Sequence, residues 1–267
     1  MKKLLLLSAL LIFACDFGQK AEDYFFSGLL KAKLEDYNGA ISDYNKGIKL
    51  DPNDANAYYN RGSSKAKLKD YNGAISDYNK AIELDPNVAD AYRVRGFSKK
   101  NLEDHYGAIS DYNKAIELNP NYAVAYYNRG FSKNKLKDYS GAISDYTKSI
   151  DLYPNFADAY TSRGISKKNL EDHIGAIRDY NKAIEINPND DEAYFFKGLS
   201  WAALEEYDWS ISVFNKSIEL EPNFAEVYYM RGLSKYFIND LNGACEDVNK
   251  SKSLGYEGST LIETVCN

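Results

Sequence analysis

The chain has 267 residues and a formal net charge of −6, with 44% hydrophobic and 27% charged residues. This balance excludes a disordered polar segment, and an acidic chain without a basic stripe is a poor candidate for binding nucleic acid. Tyrosine is in excess, with 24 tyrosines against two tryptophans. The composition therefore predicts a folded, aromatic-rich protein that does not bind nucleic acid.

The first fifteen residues, MKKLLLLSALLIFAC, differ from the rest of the chain. Two lysines precede an apolar stretch over 4–13 that is too short to span a bilayer as a helix, which predicts a secretory leader. At Ala14 and Cys15 this leader resembles a bacterial lipoprotein signal, in which a small residue precedes an acylated cysteine. The resemblance implies a cleaved signal peptide over 1–14 and lipidation at Cys15. An ordinary secretory leader with an incidental cysteine is the alternative.

Residues 15–20 would then form a lipidated cysteine and a short tether. A single acyl chain binds a membrane only marginally, whereas two or more anchor a protein stably. The resemblance thus implies an exported, membrane-anchored lipoprotein, on the periplasmic face or the cell surface, whose body lies close to the membrane.

From Ala21 onward the sequence repeats with a period of 34 residues. Position 8 is glycine and position 4 is tyrosine in every block, while position 20 is alanine and position 32 is proline in six blocks. A fixed period of this length indicates a stacked repeat architecture. The seven blocks follow without insertion or deletion and cover 21–54, 55–88, 89–122, 123–156, 157–190, 191–224 and 225–258.

Each block is predicted to form two helices. In the second helix, positions 17, 20, 21, 24, 27 and 28 have helical spacing, and the usual aspartate at position 16 is a suitable N-cap. Proline at position 32 ends that helix. Small residues at positions 8 and 20 let the two helices approach closely. Sixteen of the 24 tyrosines occupy positions 4, 17 and 24, so most of them are predicted to pack between helices.

With glycine at 8, alanine at 20, an aromatic at 24 and proline at 32, the blocks resemble the tetratricopeptide repeat (TPR) family. The resemblance implies an all-α fold, a right-handed α-solenoid of seven helix-turn-helix repeats. The tail over 259–267 is predicted to form a short C-terminal capping helix, because Thr260 and Glu263 fit a capping box. Two positions depart from the family: position 7 is arginine in five blocks and position 11 is lysine in six.

The arginine at position 7 has a natural partner, because position 23 is aspartate in six blocks. Pairing within a repeat would fail twice, at Ser27 and at Lys197, whereas pairing with the preceding repeat fails only at Val213. We therefore predict an inter-repeat ladder of charge pairs, in which an arginine could also fork to both aspartates. The predicted pairs are Asp43–Arg61, Asp77–Arg95, Asp111–Arg129, Asp145–Arg163 and Asp179–Lys197.

Nothing in the sequence predicts catalysis, a metal site or a cofactor. The two histidines, His105 and His173, both occupy position 17 and lie two repeats apart, roughly 30 Å at ordinary helix spacing, so they cannot share a metal ion. No P-loop, zincin or G-x-S-x-G pattern occurs. We therefore predict that the protein is not an enzyme and has no catalytic residue.

Cys245 and Cys266 remain once Cys15 is assigned to the lipid anchor. An exported protein meets an oxidising compartment, which would allow these two cysteines to form a disulfide. Cys245 also sits at position 21, where other blocks carry isoleucine, so it could equally be a small buried hydrophobic residue. The sequence leaves both readings open.

The resemblance places a partner-binding groove on the concave face, formed by first-helix positions 2, 5, 6, 9, 12 and 13. These positions carry an apolar floor with basic flanks such as Lys33, Lys67 and Lys100, which suits an extended or helical peptide with acidic residues. The predicted groove residues are Phe25, Phe26, Leu29, Tyr59, Asn60, Arg93, Phe97, Tyr127, Asn128, Phe131, Ile165, Phe195, Phe196, Leu199, Tyr229 and Met230.

The sequence thus predicts a membrane-anchored scaffold that binds a protein or peptide in its groove, with no evident small-molecule substrate. One alternative is a pilotin-like or outer-membrane assembly chaperone. Another is a non-catalytic module that presents substrate to a separate cell-envelope enzyme.

Overall fold

The computed structural model describes residues 20–256 and residue 266, and in this part of the chain all regular structure is helical. The predicted lipid site at Cys15 lies outside the described residues, and so does the predicted capping helix over 259–267 apart from residue 266. The fourteen helices are α1 Ala21–Lys33, α2 Tyr37–Leu50, α3 Ala55–Lys67, α4 Tyr71–Leu84, α5 Ala89–Asn101, α6 His105–Leu118, α7 Ala123–Lys135, α8 Tyr139–Leu152, α9 Ala157–Lys168, α10 His173–Ile186, α11 Asp191–Ala203, α12 Tyr207–Leu220, α13 Ala225–Phe237 and α14 Leu241–Ser253.

The helices come in pairs, and each pair lies within one 34-residue block of the sequence. The chain divides into two compact units, Met1–Ser132 and Lys133–Asn267, and the division falls inside α7. In unit 1 the consecutive helices from α1 through α6 pack against one another, and in unit 2 the same holds from α8 through α14. The all-α repeat fold is confirmed. Within the described residues, no helix is both long enough and apolar enough to cross a membrane.

Every second helix except α12 starts at an aspartate cap, as predicted. In unit 1, Asp36 Oδ1 accepts a hydrogen bond of 2.9 Å from the backbone N–H of Gly39, and Asp70 accepts one of 3.0 Å from Gly73. In unit 2, Asp172 accepts one of 2.9 Å from Gly175. This bond satisfies one of the free N–H groups at a helix start and stabilises the helix by about 1 kcal/mol.

The turn inside each repeat requires a left-handed residue that the sequence did not signal. Position 15 has a positive φ in every repeat although it is never glycine, for example 64° at Glu35 and 63° at Glu171. The strain is offset because the following N–H bonds back to the first helix, as Asp36 N–H does to the Lys31 carbonyl at 2.9 Å. The tight turn brings positions 8 and 24 face to face.

Glycine at position 8 lies against the aromatic ring at position 24. A Cβ added at Gly28 would lie 2.8 Å from Tyr44 Cε1, and one added at Gly164 would lie 2.5 Å from Tyr180 Cε1. The ring is fully buried in both hairpins. Only glycine therefore allows this helix spacing, and the predicted close approach of the two helices is confirmed.

Candidate functional site

The predicted groove residues divide by burial, and three of them belong to the core. Asn128, Phe195 and Tyr229 are buried, so their assignment to a groove floor is wrong. Phe195 shows the reason: its ring centroid lies 6.1 Å from that of Phe214, on the second helix of its repeat, and 4.9 Å from that of Phe224, at the N-cap of α13 in the next repeat. The Phe195 ring therefore packs into the interior between repeats 6 and 7 and is not available to a partner.

Most of the other predicted groove residues are half-buried. Phe25 packs against the core around Tyr44, and Ile165 packs against the core around Tyr180. Each contributes to packing and exposes only an edge. The half-buried set is Phe25, Tyr59, Asn60, Arg93, Tyr127, Phe131, Ile165, Phe196, Leu199 and Met230.

A cleft of about 230 Å³ does open on the first helices of unit 1. Leu29, which is 37% exposed, forms its apolar part. Lys33 and Lys67 stand at this cleft, and neither makes an ion pair within the described residues. We call this feature the α1/α3 cleft; it is lined by Leu29, Ala32, Lys33, Tyr37, Tyr44, Asn60, Ser63, Ser64 and Lys67.

A second exposed group in unit 1 is built around Lys100. Its Nζ lies 4.5 Å from the ring centroid of Phe97 and 4.7 Å from that of Phe131. Burial lowers the pKa of Lys100, and no carboxylate pairs with it in the described chain. Phe97 is 38% exposed. This Lys100 cluster offers a partner a cation and the exposed part of the Phe97 ring.

Arg93, by contrast, is not free to bind an acidic partner. Its Nε donates to Asp90 Oδ1 at 2.6 Å, and the hydroxyls of Tyr59 and Tyr122 also donate to Asp90. Burial opposes ionisation of Asp90, but the hydrogen bonds from Arg93, Tyr122 and Tyr59 outweigh it and lower the pKa of that carboxyl. The sequence reasoning missed Asp90, although its place at position 2 of a first helix was a signal.

The charge ladder exists but runs within repeats, so the predicted inter-repeat pairing is wrong. Arg61 pairs with Asp77, with Nε–Oδ2 at 2.9 Å and Nη2–Oδ1 at 2.6 Å, and not with Asp43. Arg95 pairs in the same bidentate way with Asp111, which leaves neither Asp77–Arg95 nor Asp111–Arg129 as a pair. In unit 2, Arg163 pairs with Asp179 and not with Asp145, and Arg231 pairs with Asp247.

Two further positions complete this arrangement. The lysine at position 11 joins the same carboxylate, as Lys65 does to Asp77 at 2.8 Å. The third arginine nitrogen reaches position 25 of the preceding repeat, where Arg61 Nη1 donates to Asn45 Oδ1 at 2.6 Å. We call the arginine, lysine and aspartate the charge cluster. In the first repeat Ser27 takes the arginine's place and donates to Asp43 at 2.7 Å.

The C-terminal cysteines are joined in the structure. The Sγ atoms of Cys245 and Cys266 lie 2.07 Å apart, and Cys266 packs against the core around Tyr229 and Val248. The disulfide thus ties residue 266 to the last repeat of unit 2.

Comparison with known proteins identifies the class. The family model described as "Tetratricopeptide repeat" matches residues 55–88, 123–156 and 157–190, and the one described as "TPR repeat" matches 28–69 and 101–137. The chain belongs to the tetratricopeptide repeat family. This family is generally a non-catalytic scaffold for protein interaction.

Three solved structures illustrate the relationship. A crystal structure of MamA is 30% identical over 64% of this chain and 94% of that one, with a TM-score of 0.60. YrrB, described as a TPR protein with an unusual peptide-binding site, is 26% identical over 67% of this chain and 92% of that one, with a TM-score of 0.58. A TPR protein from Parabacteroides merdae, at 20% identity and a TM-score of 0.69, covers 93% of this chain and 98% of its own and supports the fold. No curated protein matched the sequence.

Proposed function

We propose that this protein is a membrane-anchored scaffold that binds a protein or peptide partner on the first helices of unit 1. The observation that carries the proposal is the pairing of exposed apolar groups with lysines that have no counter-charge. Leu29 lies beside Lys33 and Lys67, and Phe97 lies beside Lys100. YrrB, a similar TPR protein, is described as having a peptide-binding site, which supports the same use of the fold here.

The chemistry of these two sites favours a segment with alternating apolar and acidic residues. An apolar side chain would cover Leu29 or Phe97, while carboxylates would approach the lysines. Because a few central residues usually dominate such interfaces, Phe97 and the α1/α3 cleft are the places where binding should be most sensitive.

The partner can be identified and the site tested together. A photo-crosslinking residue placed at Asn60, in the α1/α3 cleft, should capture a neighbour in living cells. With that neighbour purified, Phe97→Ala or Lys33→Glu with Lys67→Glu should weaken its binding at least tenfold. Leu102→Ala is the matched control, because Leu102 is an exposed apolar residue of the same repeat outside both sites. Unchanged binding in both site variants would disprove this assignment.

The membrane anchor rests on the leader and on Cys15. Metabolic labelling with a fatty-acid analogue should label the wild-type protein and leave Cys15→Ser unlabelled. The wild type should also partition into the detergent phase. Equal labelling of the two proteins would show that the anchor is wrong, while the binding site in unit 1 could still stand.

A further inference from the structure

The sixth repeat, formed by α11 and α12 in unit 2, lacks the charge cluster of its neighbours. Repeat 5 has Arg163, Lys167 and Asp179 in contact, and repeat 7 has the equivalent set. In repeat 6 all three positions change together. Lys197, Trp201 and Val213 stand where repeats 2 to 5 and repeat 7 have arginine, lysine and aspartate.

The start of the second helix changes in the same repeat. Trp209 replaces the glycine whose N–H binds the aspartate cap in the neighbouring repeats, and Glu206 makes no side-chain cap. A side chain does not fit the capped geometry, since a Cβ added at Gly175 would lie 2.0 Å from Asp172 Oδ2. Repeat 6 thus forgoes the stabilising cap of its neighbours. Several local rules broken together at one place are typical of a functional site.

What these changes build is a pocket with aromatic walls. The rings of Trp201 and Trp209 stack with centroids 6.2 Å apart and planes at 29°, and Trp209 is 61% exposed. They border a cavity of about 410 Å³, which we call the Trp201 pocket. It is lined by Asn181, Tyr194, Lys197, Trp201, Trp209, Ser212, Val213 and Lys216.

The pocket also holds polar groups whose usual partners are missing. Lys197 makes no hydrogen bond or ion pair among the residues that the structure describes, and burial lowers the pKa of its ammonium group. In repeat 7, Arg231 Nη1 donates to Asn215 at 2.6 Å, but the equivalent Asn181 receives no such bond within the described chain. Lys216 is already engaged by Glu219 at 2.6 Å. The uncompensated charge in the pocket is therefore the single cation of Lys197.

We propose that the Trp201 pocket binds an acidic peptide segment of a protein partner. A carboxylate of that segment pairs with Lys197 and so supplies the charge that Val213 lacks, while an adjacent apolar or aromatic side chain packs on the two indoles. All lining residues belong to unit 2, and the pocket shares no residue with the α1/α3 cleft of unit 1. Variants of one site can therefore be tested without changing the lining of the other.

The chain offers a built-in probe, because its only two tryptophans both line this pocket. A random peptide display library should be selected on the purified full-length protein and counter-selected on a restored variant. That variant, Lys197→Arg with Trp201→Lys and Val213→Asp, gives repeat 6 the charge cluster of its neighbours. Enriched peptides should carry Glu or Asp beside an apolar residue and should change the tryptophan emission on binding.

Two comparisons make the result decisive. Replacing the peptide's Glu by Gln should weaken binding to the wild type at least tenfold but leave binding to Lys197→Met unchanged. Phe97→Ala, in unit 1, should not alter binding of these peptides. The proposal is overturned if no peptide is enriched, if the enriched peptides lack a carboxylate, or if they bind the restored variant equally. Polyglucuronate tests the alternative that the pocket binds an acidic polysaccharide. The proposal is also overturned if this polymer changes the tryptophan emission and no peptide does.

Discussion

Repeats 5 and 6 of unit 2 form the same pair of helices by different means. In repeat 5 a buried Asp179 holds Arg163 and Lys167, and Asp172 caps α10. Repeat 6 has neither feature, yet Gly198 meets Phe214 as closely as Gly164 meets Tyr180, with 2.5 Å from an added Cβ to the ring in both cases. The hairpin is therefore held by the contact between glycine and the aromatic ring. The charge cluster and the cap add stability to a geometry that does not require them.

The largest expected effect concerns the buried aromatic ring at position 24, which is Tyr180 in repeat 5 and Phe214 in repeat 6. Tyr180→Ala and Phe214→Ala should each lower the free energy of unfolding by about 3–5 kcal/mol, because each removes a fully buried ring. Urea denaturation followed by circular dichroism measures this change. Tyr180→Phe is the control and should cost less than about 1 kcal/mol, since phenylalanine already fills this place in repeat 6. If only one of the two alanine variants lost this much stability, the glycine–ring contact would not be what holds both hairpins.

The next effect separates contacts within a repeat from contacts between repeats. A double-mutant cycle on Arg163 and Asp179 should give a coupling energy of about 2 kcal/mol, because the pair is bidentate and Asp179 is buried. Removing one partner alone from a fully buried pair costs more, ~3–5 kcal/mol, because it leaves an unpaired charge; here the arginine partly reaches water.

The control cycles use the preceding repeat. Arg163 with Thr147, joined by a hydrogen bond of 3.0 Å, should couple by less than about 1 kcal/mol. Asp77 with Arg95, which do not touch, should couple by less than about 0.5 kcal/mol. A stronger coupling of Asp77 with Arg95 than of Arg95 with Asp111 would restore the inter-repeat ladder and contradict the structure.

A smaller difference is expected at the helix caps. Asp172→Ala should cost about 1 kcal/mol of stability, because it removes the acceptor for the Gly175 N–H. Glu206→Ala should cost less than about 0.5 kcal/mol, because Glu206 makes no side-chain cap. The same denaturation experiment compares the two variants, and equal losses would show that Glu206 also caps its helix.

The smallest expected change in stability comes from replacing the cation at position 7, and its sign should differ between repeat 6 and repeat 5. Lys197→Met should stabilise the protein by up to about 0.5 kcal/mol at pH 7, because it removes a partly buried cation without a partner. Arg163→Met should destabilise it. Burial lowers the pKa of Lys197, so the charged lysine reduces the free energy of unfolding. This loss disappears as the pH rises past about 10.4, the pKa of lysine in the unfolded chain. Denaturation curves from pH 7 to 10.5 should show that the stability gained by Lys197→Met shrinks as the pH rises. If Lys197→Met were less stable than the wild type at pH 7, this prediction would be wrong.

The sequence by itself determined the helix pairs, the aspartate caps and the close approach of the two helices at the glycine of position 8. All of these depend on spacing along one chain segment, where the helical period and steric size act locally. The sequence also indicates the charge cluster, because positions 7, 11 and 23 all change in the same repeat, repeat 6.

Only the tertiary structure decided which aspartate each arginine contacts and which first-helix residues face solvent. Asp77 is flanked in sequence by two arginines at comparable separation, and the turn geometry at position 15 selects Arg61. Phe195 and Phe196 are chemically identical neighbours, yet only Phe195 is buried. The physical reason is the same in both cases. A sequence pattern shows roughly which side of a helix is apolar, whereas ion pairing and burial depend on how neighbouring helices are rotated and spaced, on the scale of a few ångströms.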